Sequence, residues 1–227
     1  MAMPMTRLCS SWGTMRSVNS KTWLIAIDGF SGAGKSTLVE AIRLGHHEAQ
    51  VVSMDDFGHR GAPASEWRRM IEQVFVPLRR GHAAVYPKWD WVRDQPSAWL
   101  SISPGGLVLV EGVGTLRTEL RSFYDACIWV ECPRLICTQR LLARDARDDM
   151  TSEMATGIQS RWERWHDQVE QYIARDHPDA AADLIVSTAS DSRRQTSTAA
   201  RRPRPRGGAS SARANANRSP GLQARRR

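Results

Sequence analysis

One stretch, Gly29-Phe30-Ser31-Gly32-Ala33-Gly34-Lys35-Ser36-Thr37, limits the folds open to this chain more than any other feature. It follows an apolar run, Trp23-Leu24-Ile25-Ala26-Ile27, and precedes a helical pattern, Leu38-Val39-Glu40-Ala41-Ile42. Strand, glycine-rich loop and helix in that order, with G-x-x-x-x-G-K-[ST] in the loop, describe a P-loop. The glycines let backbone N–H groups turn inward around phosphate oxygens, where a Cβ would obstruct the path. The helix behind the loop adds a partial positive charge. Gly29, Ser31, Gly32, Ala33, Gly34, Lys35, Ser36 and Thr37 are therefore the expected nucleotide contacts. Lys35 is expected to reach the β- and γ-phosphates of ATP, and Ser36 to place its hydroxyl on Mg²⁺.

Beyond the loop, strand-like and helix-like segments alternate, which predicts an α/β fold with a parallel sheet. Five strands are expected, at Trp23–Asp28, Gln50–Met54, Leu107–Val110, Ala126–Val130 and Leu184–Val186. Helices are expected over Lys35–Leu44, through Trp67, Met70, Ile71, Val74 and Leu78, from Pro133 onward, and over Thr151–Arg175. The Trp-rich piece Val85–Leu100 does not read as a helix; its short alternating segments predict a hairpin or extended flap. In open α/β sheets ligands bind beyond the carboxyl ends of the strands. The P-loop, Asp55, Asp56 and Glu111 all fall at such ends, so four features converge on one crevice.

The formal charge of +8 resembles a nucleic-acid signal, but its location argues otherwise. Residues 190–227 hold eleven Arg and one Asp, so the remaining chain is mildly acidic. That tail has almost no large apolar residue and reads as disordered; weak non-specific polyanion binding is the most it implies. Residues 1–20 read as a disordered leader without the apolar core of a signal peptide. This leaves a P-loop domain at 21–189. No apolar run approaches the ~20 residues of a membrane span. The four cysteines, Cys9, Cys127, Cys132 and Cys137, form no C-x-x-C, and a reduced, cytoplasmic protein is expected.

The ordered set IDGFSGAGKST (Ile27–Thr37), VVSMDDF (Val51–Phe57), YPKWDWVRD (Tyr86–Asp94), LVLVEG (Leu107–Gly112), QRLLARD (Gln139–Asp145) and ADLIVS (Ala182–Ser187) resembles the uridine kinase-like family of small P-loop kinases. It looks closest to an actinobacterial type with a DDF element and a Y-x-x-[YW]-D-W flap. The resemblance covers about Trp23 to Val186. It implies a three-layer α/β/α P-loop NTPase fold with a helical lid and a Trp-rich acceptor flap. It also implies transfer of a phosphoryl group from ATP, with Mg²⁺, to a hydroxyl of a small molecule, most simply a nucleoside.

Residue by residue, Asp55 matches the aspartate that faces the acceptor hydroxyl, where a carboxylate can orient it and accept its proton. Asp56 is the alternative base or a partner of Mg²⁺. Glu111 matches the acid that holds Mg²⁺ directly or through water; a buried ion pair with an Arg is its bland alternative. Arg140, Arg144 and Arg147, at i, i+4 and i+7, share one face if the segment is helical throughout. The resemblance implies a lid for Arg140 and Arg144; a solvated face paired with Asp145, Asp148 and Asp149 fits the same spacing. Trp89 and Trp91 share a face if the flap is extended, to stack a flat acceptor or to pack the flap on the core. Tyr86, Asp90 and Arg93 complete the candidate acceptor contacts. Trp162 and Trp165 read as packing, and the six histidines form no constellation, although His59 follows the DDF element. Trp89 stands where uridine kinases carry a tyrosine, and Asp94 near their base-reading histidine. A kinase for a non-nucleoside or a nucleoside monophosphate therefore stays open, as does a regulatory nucleotide-binding protein. The chain lacks N-K-x-D, L-S-G-G-Q and a paired Asp-Glu after Val110, which argues against the common switch, transport and motor ATPases.

Overall fold

The computed structural model describes residues 21–58, 66–146 and 151–189; the leader, the Arg-rich tail, His59, Arg147, Asp148 and Asp149 lie outside them. β1 (Thr22–Gly29) runs into the P-loop and then α1 (Lys35–Gly45). β2 (Gln50–Ser53) ends in a single 3₁₀ turn, Met54–Asp56. The strand is thus one residue shorter than expected, because Met54 already turns to start Asp55 and Asp56. α2 (Glu66–Met70) widens into a π-helical segment, Ile71–Phe75, before α3 (Val76–Arg79). A hairpin follows, β3 (Ala84–Asp90) and β4 (Gln95–Ile102). Then come β5 (Gly106–Glu111), β6 (Ala126–Glu131), α4 (Arg134–Asp145), α5 (Ser152–Asp176), the short α6 (Pro178–Ala181) and β7 (Leu184–Ser187). Pro133 precedes the first turn of α4 rather than sitting in it.

The sheet order is β2-β5-β1-β6-β7, and all four pairings are parallel. Strands buried on both faces read as continuous apolar runs, and β1 does so here. Its Leu24 and Ala26 join a core with Met70, Val74, Phe75 and Leu78 of the α2–α3 segment. Its Ile25 and Ile27 join a second core with Val39 of α1 and Cys137 of α4. Helices therefore cover both faces, which is the expected three-layer α/β/α arrangement around a parallel five-stranded sheet. Cys127, Cys132 and Cys137 are all buried. No helix among the described residues is long and apolar enough to cross a membrane.

The flap is a hairpin. Tyr86 pairs with Leu100 and points inward, where it is fully buried against Phe57 at 4.6 Å between ring centroids. Val85 and Trp99 face outward, 50 % and 70 % exposed. The chain turns after Asp90, so Trp91 lies in the turn and not on the strand that carries Trp89. The shared face expected for an extended flap does not form.

Candidate functional site

Sheet register assembles the site. Ile27 of β1 and Ser53 of β2 both pair with Glu111 at the end of β5, so the P-loop, the Asp55 turn and Glu111 share one rim. Beyond that rim lies a cleft of about 830 Å³, lined among others by Ser31, Gly32, Gly34, Lys35, Ser36 and Thr37. Asp55, Glu111, Arg140 and Arg144 line it too.

The P-loop fits phosphate. Gly32 and Gly34 have φ of +83° and +96°, the left-handed region where a Cβ is strained. A Cβ on Gly32 would also fall 2.5 Å from the Cys137 carbonyl oxygen, so the loop rests on α4 without space for a side chain. α1 begins at Lys35, and the first amides of a helix have no partner within it. Those amides and the positive helix end face the cleft that Lys35, Ser36 and Thr37 line.

Lys35 is buried, and its Nζ donates to the carbonyls of Gly29 and Phe30 at 2.9 Å each. Burial pulls its pKa down, and the carboxylates of Asp28, Glu111 and Asp55 push back. Glu111 accepts from the Ser53 hydroxyl at 3.0 Å. Burial pushes its pKa up and the Lys35 ammonium holds it down. A partly desolvated carboxylate beside a serine hydroxyl is a fitting donor set for Mg²⁺, a hard cation that keeps water and phosphate ligands. No cluster of three or more His, Cys, Asp or Glu able to hold a metal occurs among the described residues. Ser36 and Glu111 both line the cleft; Asp56, expected with them, does not. Asp56 is buried instead, its carboxyl raised by burial and drawn back by Lys88 of β3.

Asp55 is exposed at the cleft, and its carbonyl accepts from Trp91 Nε1 at 3.0 Å. The remaining acceptor candidates sit on the hairpin, outside the cleft lining. Asp90 accepts from the amides of Val92 and Arg93 at 2.9 and 3.0 Å, and Arg93 approaches it at 3.7 Å, so this pair shapes the turn. Trp89 donates to Asp94 at 3.3 Å. The two lid candidates separate. Arg140 bonds to the Thr188 carbonyl at 2.8 Å and to the Gly32 carbonyl at 3.4 Å, which makes it a strut between the P-loop and the loop after β7. Arg144 lies over the Trp162 ring at 5.4 Å and is bonded to Asp145 at 3.0 Å.

Four residues bear on the site that the sequence reading did not assign to it. Asp28, fully buried, accepts from the amides of Gly29, Gly114 and Leu116 and from the Tyr172 hydroxyl at 2.7 Å. It ties β1, the loop after β5 and α5 together. His166 and Trp165 of α5 both touch Ser31, at 3.2 Å to its carbonyl and 2.9 Å to its hydroxyl. Thr188 donates to the Ala33 carbonyl at 2.7 Å. Asp28 carries a sequence signal, an acid ending an apolar strand just before the loop. The others lie more than 130 positions from their partners, and nothing local marks them.

No protein family's sequence profile matches the chain, and no curated protein does. Solved structures do. A protein described as a possible uridine kinase from Bacillus stearothermophilus superposes with a TM-score of 0.52 at 22 % identity, over 79 % of this chain and 95 % of that one. The YGR205w protein superposes with a TM-score of 0.56 at 15 % identity, over 87 % of this chain and 95 % of that one. The chain therefore shares the fold of these two solved proteins. A candidate fructose transport system kinase from Silicibacter sp. TM1040 also shares it, with a TM-score of 0.51 at 22 % identity over 79 % of this chain and 95 % of that one.

Proposed function

We propose that this protein is an ATP-dependent small-molecule kinase that transfers the γ-phosphoryl group to a hydroxyl. The observation that carries the reading is the convergence of Lys35, Ser36, Glu111 and Asp55 on one cleft at the carboxyl ends of β1, β2 and β5. A bound Mg²⁺ would supply neutralisation of phosphate charge. Ser36 and Glu111 are the side chains disposed to hold it. The P-loop amides and Lys35 hold the phosphates. Asp55 orients the acceptor hydroxyl and takes its proton. Arg144 reaches the cleft from α4 as the lid residue, while Arg140 keeps the loop in place.

A nucleoside is the leading acceptor, on the resemblance of the motifs. The hairpin supports a second reading, a non-nucleoside acceptor. Asp90, Arg93 and Asp94, the polar groups nearest the position of a base-reading side chain, are engaged in the hairpin's own bonds. ATP consumption by the full chain against nucleosides, nucleoside monophosphates and small hydroxylated metabolites separates the two. Lys35→Ala serves as the blank and is expected to lose at least about 10²-fold in turnover. ATP binding without turnover on any acceptor would reject the kinase reading in favour of a regulatory nucleotide-binding protein.

A further inference from the structure

Five consecutive carbonyl oxygens of the P-loop are each gripped by a side chain. Lys35 takes those of Gly29 and Phe30. His166 Nε2 lies 3.2 Å from that of Ser31. Arg140 donates to that of Gly32, and the Thr188 hydroxyl donates to that of Ala33 at 2.7 Å. A trans peptide is planar, so its C=O and its following N–H point in opposite directions. Holding the Ser31 oxygen against α5 aims the Gly32 N–H away from α5. Holding the Ala33 oxygen against Thr188 does the same for the Gly34 N–H. The amide between them, that of Ala33, is spent on the Phe30 carbonyl at 3.0 Å. Ser31, Gly32 and Gly34 line the cleft.

We propose that His166 and Thr188 are positioning residues for the phosphate cradle, holding the Ser31–Gly32 and Ala33–Gly34 peptides with their N–H groups turned to the phosphates. A loop fixed in this way need not reorganise when an anion arrives, which is how fixed dipoles gain their effect. The Ser31 carbonyl can only accept, so His166 carries a proton on Nε2. The Thr138 hydroxyl, which donates to the Arg134 carbonyl at 3.0 Å, lies 3.1 Å from Nδ1. The edge-on contact with Phe30, 5.3 Å between centroids, fixes the plane of the ring. Trp165 adds its bond to the Ser31 hydroxyl. His166 is fully buried, a place an apolar side chain would fill at less cost in lost hydration.

The proposal rests on the phosphate-binding half of the kinase reading and not on the acceptor. It is tested by calorimetric titration of the full chain with ATP and with inorganic pyrophosphate. His166→Phe and Thr188→Val are each expected to weaken both ligands about tenfold, the loss that accompanies one net hydrogen bond. His166→Gln, whose amide N–H can reach the same carbonyl, is expected to recover most of the affinity. Affinities within about twofold of wild type in both His166→Phe and Thr188→Val overturn the proposal, being less than one bond. Equal loss in His166→Gln and His166→Phe also overturns the role assigned to the Nε2 donor. Thr188 is part-buried in a loop and valine matches its shape, so Thr188→Val carries the test if His166→Phe does not fold. A wild type that binds neither ligand overturns both readings. A wild type that binds both ligands, with weakened variants but no acceptor-dependent turnover, overturns the kinase reading alone.

Discussion

Asp55 and Asp56 are adjacent and chemically identical, yet the fold gives them opposite surroundings. Asp55 stands exposed at the cleft; Asp56 is buried beneath the hairpin. Only the first can meet an acceptor hydroxyl in water-filled space. Asp55→Asn keeps the shape and removes the base, so turnover should fall about 10²- to 10⁴-fold. On the proposed role of Asp55, confined to the acceptor hydroxyl, ATP affinity should stay unchanged. Steady-state kinetics beside equilibrium ATP binding checks both halves. Wild-type turnover in the variant would remove Asp55 from its role.

At the scale of elements, α5 acts as the brace of the site. Its Tyr172 meets Asp28 at the base of the P-loop, and its His166 and Trp165 meet Ser31 at the top. Asp28 depends on such partners: burial raises its carboxyl pKa, and the Leu116 amide, the Tyr172 hydroxyl and Lys35 hold it down. Tyr172→Phe removes one donor from a buried carboxylate without leaving a cavity. The expected cost is about 1.5–3 kcal/mol, the usual range for a hydrogen bond to a charged group. Urea denaturation of wild type and variant measures it. A change below about 0.5 kcal/mol, the size of an ordinary surface substitution, would mean that Asp28 is satisfied without α5. The hairpin shows the reverse case. Its extended character, as a hairpin or a flap, was legible in the alternation from Val85 to Leu100. The turn after Asp90 was not, because it depends on Asp90 capturing the amides of Val92 and Arg93.

Across the whole molecule, stability should carry a mark of His166. Burial first, and then the nearby Arg134, lower its pKa below the ordinary 6.5, against the Ser31 carbonyl, Glu170 and Asp167. Above about pH 6.5 the imidazole is neutral in both folded and unfolded chains, so it adds no pH dependence. As pH falls through that value the unfolded chain takes up a proton that the folded chain resists, and stability drops. The fall continues down to the lowered folded pKa. The difference in melting temperature between pH 7.5 and 5.5 should therefore be smaller in His166→Phe than in wild type. Equal differences would show that the ring titrates alike in both states.

The P-loop, the parallel α/β sheet and the convergence of Lys35, Ser36, Asp55 and Glu111 were all legible before folding was considered. Those features are local: glycine spacing, apolar runs, and acids at strand ends that a parallel sheet brings to one rim. Packing settled which of two adjacent aspartates faces the cleft, and that Arg140 braces the loop while Arg144 engages Asp145 and Trp162. It also decided that His166 and Thr188 grip a loop more than 130 residues away in the chain. The physical reason is direction. Spacing along a chain says which side chains share an element, but which way a carbonyl points depends on the element that packs behind it.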